Sequence, residues 1–181
     1  MAASVDILRW CGAVGSPTKT VITGINTRAN AMDAHSTADT SSPVQIPATG
    51  SNYSYWVCTR LTANTSPAGT INNLRWYSSG TNNLGTGITC QGNEATAYTQ
   101  ASGTVGQTGI QLTTANYASV TTPADVFGTF TAAAPKSLAG SIANPTTGDF
   151  GSWFVYQISV ASTASPGATA QTTFTYKYDE T

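Results

Sequence analysis

The chain contains one histidine, three cysteines and eight acidic residues among 181, so any reaction it ran would draw on a very short supply of ionisable groups. His35 lies in MDAHSTAD with Asp33 and Asp39 beside it, the residue types of a general base with an orienting carboxylate. No G-x-S-x-G elbow accompanies it, and nothing distinguishes one serine as a nucleophile. Glu94, Asp125 and Asp149 are the carboxylates that cleavage of a glycosidic bond would use. Asp33, Asp39, Asp149, Asp179 and Glu180 are the oxygen ligands that calcium would use, but no D-x-D-x-D-G loop gathers them. Cys11, Cys58 and Cys90 are odd in number and far apart. They match neither a disulfide framework nor a zinc site and read as buried free thiols. GTGITCQG lacks the GK[ST] of a phosphate loop. These residue types predict no catalytic centre, no metal and no cofactor.

The residues that remain are suited to contact rather than chemistry. Four Trp, eight Tyr and five Phe are spread through a chain of which only 8% is charged. Trp10, Trp56, Trp76 and Trp153 are core or interface anchors in such a setting. The Arg9-Trp10 pair and the Arg75-Trp76-Tyr77 group are the candidate contact surfaces. Seven Lys and Arg against eight Asp and Glu give a formal charge of −1. Without a basic block to neutralise phosphates, direct nucleic-acid binding is not expected. Weak charge repulsion near the sequence pI of 5.6 favours self-association. MAAS (1–4) and the closing residues 178–181 are candidate arms that cross onto a neighbour.

Those residues must be positioned by strands. Short alternating runs separated by Gly, Pro, Ser, Thr and Asn predict strands at Val5–Trp10, Lys19–Gly24, Thr70–Tyr77, Gly87–Cys90, Glu94–Ala101, Ile110–Thr113, Asp125–Thr131 and Ser137–Ile142. Residues 26–42 fit no period and read as a long loop, and Pro43–Pro47 reads as an edge segment. Tyr53–Leu61 is the strongest strand, with Tyr53, Tyr55, Val57, Thr59 and Leu61 on one face and Trp56 and Cys58 on the other. Cover on both faces makes it central, or makes its second face an interface. Ser152–Val160 and Ala170–Tyr178 alternate cleanly and read as an antiparallel hairpin across STASPGATA. NPTTGDFG reads as a turn, and the AAAP corner has room for a brief helix only. The expected fold is one all-β domain over 1–181, an antiparallel β-sandwich of jelly-roll or immunoglobulin-like type.

The start MAASVDILRWCGAVG lacks the charge pattern of a secretory leader, and no window approaches eighteen apolar residues. Synthesis in the cytosol without membrane insertion is expected, and the sequons at Asn52 and Asn64 then carry no glycan. Through NYSYWVCTRL, SPAGTINNLRWYSSGTN, TGDFGSWFVYQISV and TFTYKYDET, the chain resembles virion structural proteins of tailed bacteriophages and related environmental viruses. Size, β pattern and the lack of a coiled-coil or collagen-like stalk resemble a capsid decoration or cement protein more than a tail fibre. The resemblance implies a non-enzymatic virion protein made in the host cytoplasm. Its implied partners are the major capsid protein and copies of itself, with a trimer as the implied oligomer. A tail or neck component and a carbohydrate-binding module, with glycan as partner, are the alternatives. A cleft lined by two exposed Trp would favour the module, and a broad apolar patch would favour assembly.

Overall fold

The computed structural model describes residues 2–38 and 40–181; Met1, in the first candidate arm, and Asp39, one of the calcium candidates, lie outside them. The strands are β1 (Val5–Cys11), β2 (Thr18–Val21), β3 (Ser51–Tyr53), β4 (Val57–Ala63), β5 (Thr70–Ser78), β6 (Ile88–Ala95), β7 (Gly103–Thr104), β8 (Thr108–Gly109) and β9 (Ala124–Asp125). After one helical turn, α1 (Val126–Thr129), come β10 (Lys136–Ser137), β11 (Ile142–Ala143), β12 (Gly148–Ala161) and β13 (Phe174–Glu180). The main sheet runs β2-β1-β4-β12-β6-β9, with β3 also paired to β12. In the second sheet β5 is flanked by β13 along one edge and by β10 and β11 along the other. Every pairing is antiparallel, and the two sheets pack into an all-β sandwich.

Alternation along each strand divides the apolar residues into two cores. Between the sheets lie Val57 and Leu61 of β4, Ile71, Leu74 and Trp76 of β5, and Phe150, Phe154 and Tyr156 of β12. Trp76 stacks on Phe154 with ring centroids 3.6 Å apart and planes 10° from parallel. The opposite face of the main sheet is also covered. There Leu8, Trp10, Cys58 and Val155 meet Tyr98, Ala101, Leu112, Tyr117 and Val120, which belong to the segment between β6 and β9. That cover carries little regular structure, so polar side chains hold it down. Gln157, buried in β12, accepts from Leu112 N (2.6 Å) and donates to the carbonyls of Ser54 and Ile110 (2.7 Å each). The Tyr117 hydroxyl accepts from Thr99 N and donates to Ala97 O, each at 2.9 Å. Satisfying these buried groups lets a loop lie on a hydrophobic face without a heavy desolvation cost.

Several sequence expectations are corrected. Ser152–Val160 and Ala170–Tyr178 do not form a hairpin: β12 is in the main sheet and β13 pairs β5 in the other. Alternation tells which side of a strand is buried but not its partner. Tyr53–Leu61 is broken: β3 and β4 lie end to end along β12, and between them Ser54 N still donates to Ile158 O while Tyr55 N turns away to Asn30 O. Tyr55 therefore joins Trp56 in the outer core rather than Val57 in the inner one. β4 is central, as both covered faces required, and its second face is covered by the chain's own loop. β6 joins Gly87–Cys90 to the first two residues of Glu94–Ala101, whose remainder is loop, and of Ser137–Ile142 only the two ends are strand, in β10 and β11. Asp125–Thr131 turns helical because Asp125 caps Phe127 N and Gly128 N. Neither Ile110–Thr113 nor Pro43–Pro47 is a strand.

The described residues at both ends are tied to the body. Ala3 N donates to the Glu180 carboxylate, which also accepts from Ala68 N at 2.8 Å. Thr181 and Thr70 exchange backbone hydrogen bonds at 2.9 and 3.0 Å. Residues 178–180 are thus the end of β13, where Asp179 and Glu180 pair with Asn72 and Ile71 of β5.

Candidate interaction surfaces

The seven candidate contact residues separate when the strands assemble. Arg9 is 1% exposed, its Nη1 donating to Thr27 Oγ1 (2.9 Å) and Arg28 O (2.7 Å). Trp56 is buried with Nε1 donating to Ile110 O at 2.9 Å, and Trp76 is 1% exposed in the inner core. As surface contacts these three are corrected: period-2 geometry and the outer loop place them inside the molecule. Arg75 and Tyr77 flank Trp76 and point the other way, half-buried on the outer face of the second sheet. Arg75 Nη2 pairs with Asp179 at 2.9 Å.

Trp10 and Trp153 belong to an arrangement the sequence did not announce. On the outer face of the main sheet, β2, β1, β4 and β12 contribute Lys19, Trp10, Arg60 and Trp153 in a row. Lys19 Nζ lies 4.4 Å from the Trp10 ring centroid. The Arg60 guanidinium lies 3.9 Å from Trp153 and 5.8 Å from Trp10. The two indoles meet edge to face at 5.3 Å. A cation over an indole face is held by the ring quadrupole, more strongly as water is excluded. Asp149 of β12 closes the row through Lys19 at 2.6 Å, and Arg60 Nε donates to Gly151 O at 2.8 Å. Burial lowers the Arg60 pKa, and Asp149 opposes that shift. Cross-strand register, not local sequence, creates this row: Trp10 is opposite Lys19 and Leu8 is opposite Arg60. Lys19 and Arg60 were missed for that reason.

Arg60 and Asp149 also line an open cleft of about 330 Å³ with Ser141, Thr146, Thr147 and Gly151 among its walls. No pair of exposed Trp rings forms a platform there. Trp10 is buried and Trp153 is half-buried, and the Trp153 face carries Arg60.

The groups considered for chemistry have other roles. His35 Nδ1 contacts Thr27 Oγ1 at 3.2 Å, and burial first, then Arg9, lowers its pKa. Asp33 accepts from Gly12 N (2.9 Å) and Gln100 Nε2 (3.0 Å) rather than from His35. Glu94 accepts from Ala139 N at 2.7 Å and lies 3.4 Å from Lys136 Nζ; Asp125 caps α1. Cys11, Cys58 and Cys90 are free and buried. Among the described residues no three His, Cys, Asp or Glu gather as metal ligands, and no helix is long and apolar enough to cross a membrane.

Exposed apolar side chains concentrate in two places. Val14 (59% exposed), Val21 (47%) and Ile25 (49%) lie on β2 and just beyond its two ends. Ile46, Val105 and Ile110 surround the β7–β8 turn, where Gln45 N donates to Gln107 O. β2 is the edge of the main sheet, and among the described residues no strand pairs with its other side. Comparison with family models, with curated proteins and with solved structures finds no match.

Proposed function

We propose that this chain is a non-enzymatic structural component of a virion, a capsid decoration protein that binds the major capsid protein and copies of itself. The observation that carries this reading is the β2 edge. Exposed Val14, Val21 and Ile25 accompany an open strand edge, in a chain with few charges to keep copies apart. An edge of that kind is a template for pairing with another chain, and its apolar side chains add burial to the backbone hydrogen bonds. The mechanism is passive: contacts between subunits brace the shell, and no covalent bond is made or broken. The resemblance of the strand segments to phage virion proteins points the same way.

Cryo-EM of native particles carrying the chain tests the proposal. Density at symmetry-related points over the capsid lattice, contacting neighbours through β2, is the expected result. Density confined to the tail or neck overturns the decoration role. A second reading, sugar binding without catalysis, is favoured by one feature, the cleft where Arg60 and Asp149 meet the hydroxyls of Ser141, Thr146 and Thr147.

A further inference from the structure

The cleft beside the Lys19-Trp10-Arg60-Trp153 row has more specific chemistry than its size alone implies. Arg60 is held before any ligand arrives: Trp153 supports the plane of its guanidinium at 3.9 Å, and Nε is fixed on Gly151 O. Its two Nη groups make no hydrogen bond among the described residues. A guanidinium fixed in this way offers two parallel donors, the geometry that matches a carboxylate. Holding it in place beforehand removes much of the ordering cost of binding. Asp149 commits Oδ2 to Lys19 and has Oδ1 for a donor. Arg60 and Lys19 against Asp149 leave one positive charge in excess at this end of the sheet. The remaining wall combines three hydroxyl side chains with Ile142, Ala143 and Phe150, a mix of polar and apolar surface that suits a polyol ring, and about 330 Å³ accommodates a single sugar ring.

We propose that this cleft binds a sugar carrying a carboxylate, of the uronate or sialate class. Arg60 holds the carboxylate through its two Nη groups, and Asp149 accepts from a ring hydroxyl. The inference rests on the sugar-binding reading of the cleft and names the class of sugar. A neutral sugar leaves the Arg60 fork half used. A bare carboxylate leaves Asp149 and the hydroxyls unused. The two indoles serve as the support for Arg60, which accounts for a sugar site without an exposed Trp platform.

Saturation-transfer NMR on the full chain, with glucuronate, N-acetylneuraminate, glucose and acetate as separate probes, tests the assignment. An acidic sugar is expected to bind with a dissociation constant on the order of 1 mM for one ring, and glucose and acetate at least about tenfold more weakly. Arg60→Lys, which keeps the charge and loses the fork, is expected to weaken the acidic sugar about tenfold or more. Ser141→Trp fills the cleft from an exposed position and should abolish binding with thermal stability unchanged. Glucose binding as well as glucuronate overturns the acidic class and leaves the sugar-binding reading standing. Binding of none of the probes overturns both. Binding of the acidic sugar that survives Ser141→Trp places the ligand elsewhere and overturns the assignment.

Discussion

Burial governs how the interior side chains titrate. Cys58 is pushed up to about 12 by desolvation, against a weaker opposing effect from its contact with the Tyr117 hydroxyl at 3.8 Å. Cys90, Tyr117 and Tyr156 are raised by the same cause. Each of these groups stays protonated in the folded chain at a pH where the unfolded chain has released its proton. The stability they contribute is full below the ordinary values of 9.0 for a thiol and 10.0 for a phenol. It is lost as pH rises from there toward the folded values. Each group can cost up to ~1.4 kcal/mol per pH unit in that window. Thermal melts should give a Tm that is flat from pH 7 to about 9 and falls steeply above it; a Tm unchanged at pH 11 would contradict the packing. The same burial predicts thiol chemistry. A thiol reagent at neutral pH should find no reactive cysteine in the folded chain and three after guanidinium unfolding.

Within the elements, β12 has the most demanding role, since it carries side chains into both cores and toward the cleft. Period-2 alternation puts Phe150 and Phe154 on the inner-core face and turns Trp153 outward to Arg60, while the register shifts because β12 spends four residues between those rings and β4 spends two. Gly151 is inside that bulge with φ of +74°, and a Cβ there would run into Leu74 Cδ1. Gly151→Ala therefore combines left-handed backbone strain with core overpacking. Urea or thermal unfolding should show a loss of about 2–4 kcal/mol, and a variant as stable as the parent would remove the bulge from the account. β5 has a similar irregularity: Asn73 has φ of +50°, so Ile71 and Leu74 both face inward although three positions apart. The alternation of β1, β5 and β12 was legible because one face of each is apolar. The break at 54–56 and the pairing of β13 with β5 were not, because they depend on distant partners. The same limit applied to the site. Trp10 and Trp153 stood out by type, whereas Lys19 and Arg60 became significant only when four strands lay side by side.

At the scale of the whole molecule, the aromatic residues that made the chain look like an interface protein are mostly spent on its two cores. The large apolar side chains left exposed are aliphatic. The edge strand β2 has one lysine, a residue that normally discourages edge pairing, but Lys19 is drawn across the face by Asp149 and Trp10. Val21 and its neighbours Val14 and Ile25 stay exposed, and under the proposed function they are the contact with a partner. A contact made of backbone hydrogen bonds and aliphatic burial has little dependence on ion pairing, so it should persist at high salt, where exposed charge pairs are screened. Replacing Val14, Val21 and Ile25 together by Lys tests this directly. All three are about half exposed or more, so the folded chain should keep its stability to within about 0.5 kcal/mol per site, read by thermal melts. Self-association, measured by static light scattering at neutral pH, and retention on particles in 1 M salt (about a 3 Å screening length) should both fall sharply. A triple variant that assembles and binds particles as the parent does would remove β2 from the interface and leave the group around the β7–β8 turn as the surface to test.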